Sequence, residues 1–231
     1  MEMINYKDIL TNNIIGVYGI GVQDFLSQIQ TVKDDEVKIS YIDSQDFEFC
    51  TSTFISEVKL NINEKNINKK TSKDMIREYC KELSVSEEIL SRKIVNMSSS
   101  ERYVLYIILN LLFDSQVYIF NGVYRYLDKI NKKKVLAMFK KLKGLGKTII
   151  VIDDINVLYN VTNKIFIFKY NIVIFNGNTK EVLTDVEKLI KKGIGVPELP
   201  LITYLAKKKK GVKLFYHDDV RDIIKDVYKH V

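Results

Sequence analysis

Three short stretches of this 231-residue chain carry residue types and spacings that suit a phosphate group. Asn96-Met97-Ser98-Ser99-Ser100-Glu101-Arg102 places serines at the head of an apolar helix. The unpaired N–H groups of a helix N-terminus form an anion site. Gln116-Val117-Tyr118-Ile119-Phe120-Asn121-Gly122 ends an apolar strand in small polar residues, at the place where an α/β fold holds its ligand. Gly16-Val17-Tyr18-Gly19-Ile20-Gly21-Val22-Gln23-Asp24 joins an apolar strand to an apolar helix start at Phe25-Leu26. That is the context of a phosphate-binding loop, whose glycines let several N–H groups point at one anion. Such a loop ordinarily continues with a lysine, which neutralises the terminal phosphates, and a hydroxyl that holds Mg²⁺. Here those places hold Val22, Gln23 and Asp24. Val22 offers no charge, and Asp24 repels phosphate unless a cation intervenes. On these residues alone a plain glycine turn is the favoured reading.

Other chemistries find less support. Cys50 and Cys80 are the two cysteines and read as reduced thiols, because no signal peptide opens the chain. His217 and His230 are the two histidines, so a Cys/His zinc site is not expected and no metal ligands are assigned. The net charge is +7, spread along the chain, which reads as a solvated lysine-rich surface; binding of nucleic acid is not expected. No run approaches the ~18 apolar residues of a membrane span, so any membrane role needs a partner to hold the chain there.

These residues must be positioned by an α/β scaffold. Ile14 to Val17, Val37 to Ile42, Val117 to Phe120 and Thr148 to Ile152 read as strands. The last two are continuous apolar runs, the mark of the middle of a parallel sheet. Residues 59–71, rich in Asn and Lys, read as an exposed connection. Ser72 to Leu83 is helical, and Ser84-Val85-Ser86-Glu87 is similar to a capping box opening a short helix through Leu90. Glu101 to Phe113 is apolar nearly all round and therefore buried. Asn131 to Lys143 is amphipathic and ended by Gly144 and Gly146, and Asp153-Asp154 follows the strand after it. Ile165 to Phe168 and Ile172 to Phe175 form a hairpin closed by Gly177. Helices follow over Thr179 to Lys191, up to Lys207–Lys210, and over Asp218 to Tyr228.

Taken in order, these segments resemble the nucleotide-binding subunit of ABC transporters over almost the whole chain. The stretch Gly16–Asp24 resembles Walker A, giving Gly16, Gly19, Gly21, Val22, Gln23 and Asp24 as nucleotide-binding places. Met97-Ser98-Ser99-Ser100-Glu101 resembles the signature Leu-Ser-Gly-Gly-Gln/Glu, and Val117–Gly122 resembles Walker B. Leu127-Asp128 resembles the D-loop, and the Q-loop glutamine falls at Ser44 or Gln45. The tail, with Gly195-Val196-Pro197 and then Leu201 to Gly211, is similar to the C-terminal extension of energy-coupling-factor ATPases.

The resemblance implies a P-loop NTPase-like fold, α/β and mostly parallel, with an ATPase domain over 1–190. A helical subdomain is inserted at about 59–97, and a helical extension covers 191–231. It also exposes what has changed. The Walker A lysine place is Val22, the Walker B aspartate place Asn121, the catalytic glutamate place Gly122 and the switch histidine place Asp153. Electrostatic stabilisation supplies most of the catalysis in phosphoryl transfer, so these losses compound and no catalytic residue is assigned. The family works as a head-to-tail pair, so the implied role is a catalytically impaired subunit pairing with an active homologous ATPase, as homo- or heterodimer, beneath a polytopic membrane component. The expected place is the inner face of the cell membrane. ATP and Mg²⁺ are then expected only in a composite site, where Ser98, Ser99, Ser100 and Glu101 face the partner's nucleotide and Asp128 organises the interface. A serine N-cap for a buried helix explains Ser98–Glu101 equally well. The alternative function is a non-transport pseudo-ATPase acting as a regulatory or nucleic-acid-associated module.

Overall fold

The apolar runs become the centre of one sheet. The computed structural model describes residues 11, 13–31, 37–45, 47–64, 69–170, 172–210 and 220–228. His217, His230, Asp46, Asn171 and Gly211 therefore lie outside the described residues. Strands β1 (Ile14–Gly19), β2 (Ile39–Asp43), β3 (Val117–Asn121), β4 (Thr148–Ile152), β5 (Lys164–Lys169) and β6 (Ile172–Asn178) lie in the order β2-β3-β4-β1-β5-β6. All neighbours are parallel except the β5–β6 hairpin. Strands β3 and β4 are interior, flanked on both sides by parallel neighbours, which is why Val117 to Phe120 and Thr148 to Val151 are buried throughout. The chain leaves β1 for the far edge at β2, and returns through β3 and β4 before passing to β5 on β1's other side. That reversal puts a crevice at the carboxyl ends of β1, β3 and β4.

Helix α1 (Val22–Thr31) covers one face of the sheet, packing Val22, Phe25, Leu26 and Ile29 on Ile15, Val17, Val117, Ile119, Ile150 and Phe166. An insertion of α2 (Phe54–Glu64), α3 (Lys69–Leu83) and α4 (Glu87–Ser91) follows β2. The other face takes α5 (Ser99–Leu111), α6 (Lys129–Gly144) and α7 (Ile155–Val161), whose buried residues join Ile14, Tyr118, Phe120, Ile149 and Val151 in a second apolar cluster. Each fully buried Leu, Ile or Phe in these clusters contributes about 1.5–3 kcal/mol. After the hairpin come α8 (Thr179–Thr184), α9 (Val186–Lys191), α10 (Glu198–Lys210) and α11 (Val220–Tyr228). The extension is tied down by Glu198 N–H to Asn156 Oδ1 at 2.8 Å and Lys169 Nζ to the Lys192 carbonyl at 2.9 Å.

Several local expectations are corrected. Much of 59–71 is helix, because Phe54, Val58 and Ile62 recur every four residues and are buried; the polar residues between them hid that stripe. Helix α2 accordingly begins at Phe54. Ser84 caps nothing: it sits at φ 51, and α4 starts at Glu87 after Ser86, whose side chain makes no cap bond. The helix over Thr179 to Lys191 is two helices, divided at Asp185, which caps the second by accepting from Lys188 N–H. Gly177 does not close the hairpin but pairs within β6, opposite Ile165.

Candidate functional site

At the glycine turn, Gly16 and Val17 lie inside β1, and Gly16 is packed so closely that a Cβ there would stand 3.0 Å from Thr162 Oγ1. Only Ile20 and Gly21 separate β1 from α1. Gly19 holds φ +114, and a side chain on it would collide with the Phe168 carbonyl; the Ile20 N–H is spent on that same carbonyl at 3.2 Å. The turn is thus stitched to β5. Val22, at the lysine place, points into the apolar cluster under α1, while Gln23 and Asp24 are exposed in its first turn.

The tip of β3 is closed by a polar network. Register places Asp43 opposite Asn121. Asn121 Nδ2 donates to Asp43 Oδ2 at 2.8 Å and to the Tyr41 hydroxyl at 3.0 Å. Asp43 also accepts from the Tyr41 hydroxyl and from the Gln45 N–H, both at 2.8 Å. Next to it Gly122 sits at φ +68, where an added Cβ would be 2.6 Å from Ser44 Oγ. A glutamate at this place meets both a left-handed backbone and that hydroxyl. Ser44 and Gln45 therefore brace the β3 tip from the β2 side, with the Gln45 side chain exposed.

At the tip of β4, Asp153 is buried. Its Oδ1 accepts from Arg125 Nε at 3.1 Å and from the Asp154 N–H at 2.8 Å. Its side chain is 0% exposed against 54% for Arg125. Asp153 Oδ2 has no hydrogen-bond partner among the described residues. Asp154 caps α7 by accepting from the Asn156 N–H at 2.8 Å. Val17 pairs with Ile152, so Asp153 follows directly on the β4 residue beside β1. Among the described residues no group of three or more His, Cys, Asp and Glu is placed to hold a metal ion. With Val22 turned inward, Asn121 tied to Asp43 and Arg125 tied to Asp153, these residues do not fit a bound Mg²⁺–nucleotide.

The serine cluster is built as a helix cap. Ser98 Oγ accepts from the Glu101 N–H at 3.2 Å, and Glu101 Oε2 accepts from the Ser98 N–H at 2.7 Å. That N–H and the Ser98 hydroxyl, with Arg92 at 3.2 Å, hold the Glu101 carboxyl below its usual range. Ser100 is buried and accepts from the Asp128 N–H at 3.0 Å and from Asn131 Nδ2 at 2.9 Å. Asp128 in turn caps α6 through the Ile130 and Asn131 N–H groups, with Asn131 first among the bonds that lower its carboxyl. Ser99 stays exposed. Thus Ser98, Ser100, Glu101 and Asp128 come together, and the glycine turn lies apart from them across the chain's own β3 and β4 tips.

Asp43, Tyr41 and Arg125 escaped the sequence reading as site residues. Arg125 carried a weak signal, a cation in the segment between Gly122 and Asp128. Asp43 carried none, because its place opposite Asn121 depends on the β2–β3 register. An aromatic ladder was equally hidden: Tyr103 stacks on Phe47 at 4.4 Å and on Tyr126 at 4.9 Å, and its hydroxyl donates to the Ser44 carbonyl at 3.1 Å. It links the β2 tip, α5 and the segment carrying Arg125.

The chain matches no protein-family profile. It resembles energy-coupling factor transporter ATP-binding proteins: EcfA2 of Mycoplasma mobile is 23% identical over 187 residues, covering 80% of this chain and 60% of that protein. EcfA2 of Staphylococcus aureus is 25% identical over 158 residues, covering 68% and 53%. The matched part spans less than two thirds of both relatives. Among solved structures, cbiO1 from Clostridium perfringens, part of the ABC transporter complex cbiONQ, superposes with a TM-score of 0.64 at 16% identity, over 85% of this chain and 88% of that one. The fold is that of an ABC-type ATP-binding cassette. Among the described residues no helix is long and apolar enough to cross a membrane.

Proposed function

We propose that this chain is a non-hydrolysing ATP-binding-cassette subunit of an energy-coupling-factor type transporter, paired head to tail with an intact homologous ATPase subunit against a polytopic membrane component. The similarity to energy-coupling factor ATP-binding proteins supports the transport role. The observation that carries the catalytic half is the β3 tip. Gly122 holds a backbone angle that disfavours a glutamate, and Asn121 spends its amide on Asp43 and Tyr41. The carboxylate described at that tip, Asp43, is held by Asn121, Tyr41 and the Gln45 N–H rather than offered to Mg²⁺ or an attacking water.

In the pair, this chain's contribution is its α5 face. The capping box fixes the helix start, Ser100 fixes the segment at Asp128, and exposed Ser99 meets the nucleotide held by the partner. The test is ATP turnover by the purified chain beside its Asn121→Ala variant, with and without Mg²⁺. Equal background rates are expected. Metal-dependent turnover well above that of the variant would overturn the reading.

A further inference from the structure

The half-site reading does not explain why a cation should stand at the strand tips already bound to a buried carboxylate. Asp153 is wholly buried, and only one of its oxygens is served, by Arg125 Nε and the Asp154 N–H. Its second oxygen is bare among the described residues. A buried carboxylate needs a counter-charge, and removing that charge is strongly destabilising. Arg125, by contrast, is half exposed. A guanidinium carries five N–H donors in a fork that matches phosphate, and the Asp153 bond uses Nε. The pair sits beside Gly122, whose missing side chain leaves Arg125 Nε 3.8 Å from where a Cβ would be. Asp153 follows Ile152, which pairs with Val17 of β1. This is the crevice at the carboxyl ends of β1, β4 and β3, where the Arg125 cation is neutralised from beneath by Asp153.

We propose that Arg125 is a latent phosphate-binding side chain, masked by Asp153, and that removing the Asp153 charge converts the crevice into a site for a triphosphate. This rests on the reading of the strand tips as a nucleotide half-site emptied in this chain. A phosphate approaching the wild-type crevice meets a guanidinium whose charge is already answered, and drawing Arg125 away would strand a buried carboxylate. With asparagine at 153 the shape is kept, the Arg125 Nε bond retains an acceptor, and the positive charge is free. Because Asn121 and Asp43 remain tied to each other, the gained binding does not need Mg²⁺.

The probe is inorganic tripolyphosphate, then ATP, titrated calorimetrically into the full chain with and without Mg²⁺. Asp153→Asn is expected to bind tripolyphosphate at least tenfold more tightly than wild type, with no Mg²⁺ requirement, and Asp153→Asn/Arg125→Gln to lose the gain. Asp153→Ser gives the same comparison if the asparagine variant melts early. Equal affinities in wild type and single variant overturn the masking, as does a gain that survives loss of Arg125. Tight Mg²⁺–ATP binding by the wild-type chain would instead overturn the half-site reading, so the two failures are distinct.

Discussion

Replacing Gly122 with alanine tests whether the β3 tip excludes a side chain. Two penalties are expected. Gly122 holds φ +68, and an L-residue in the left-handed region costs about 1–2 kcal/mol. The new Cβ also lands 2.6 Å from Ser44 Oγ. Ser44 cannot shift as a whole, because its N–H donates to the Asn121 carbonyl at 2.9 Å and its own carbonyl accepts from Tyr103 at 3.1 Å. Its hydroxyl must turn away, an overpacking strain of about 1 kcal/mol. The sum is about 2–3 kcal/mol, or roughly 4–12 °C in melting temperature for a chain of this size. Urea unfolding of wild type, Gly122→Ala, Ser44→Ala and the double variant separates the parts. The Gly122→Ala penalty should fall to about 1–2 kcal/mol when Ser44 is already alanine, with the urea slope unchanged. A penalty under about 0.5 kcal/mol, or one indifferent to Ser44, refutes the account of why no glutamate stands here. By the same reasoning Asn121→Asp/Gly122→Glu should gain no ATP turnover.

Ser98→Ala should destabilise by about 1 kcal/mol in the same assay, through loss of the α5 cap. Its partner Glu101 has a folded-state pKa below the ordinary carboxylate value, so its contribution is complete above that value and is lost as pH falls through the folded one. Melting curves of wild type and Glu101→Gln should therefore differ at neutral pH and converge in acid; a constant gap would contradict the capping box. Cys50 is exposed, whereas Cys80 is buried and its thiol is pushed up to about 11. A thiol reagent at neutral pH should label Cys50 quickly and Cys80 only as fast as the chain unfolds, and two equally fast thiols would contradict the packing of α3.

Much of the scaffold was legible because its signals are local. Continuous apolar runs mark β3 and β4, an all-round apolar helix marks α5, and the serines at its head mark an N-cap, while the reciprocal Ser98–Glu101 capping box was not read and the one expected at Ser84–Glu87 is absent. Where periodicity was masked by composition, as at Phe54, Val58 and Ile62, the helix was missed.

The sequence by itself determined that the serine-headed helix, the Asn121-Gly122 strand tip and the glycine turn belong to an α/β scaffold, and the resemblance to ABC-type subunits is what set their residue types beside nucleotide-binding places. Those are statements about residue types at given places, and types are what a sequence records. The tertiary structure alone decided which partners these residues have. Asn121 is tied to Asp43, Gly122 is pressed on Ser44, and Asp153 holds Arg125. Each of these pairs joins segments brought side by side by strand register and strand order. Side-chain chemistry acts over a few ångströms of space, and sequence distance carries no measure of it.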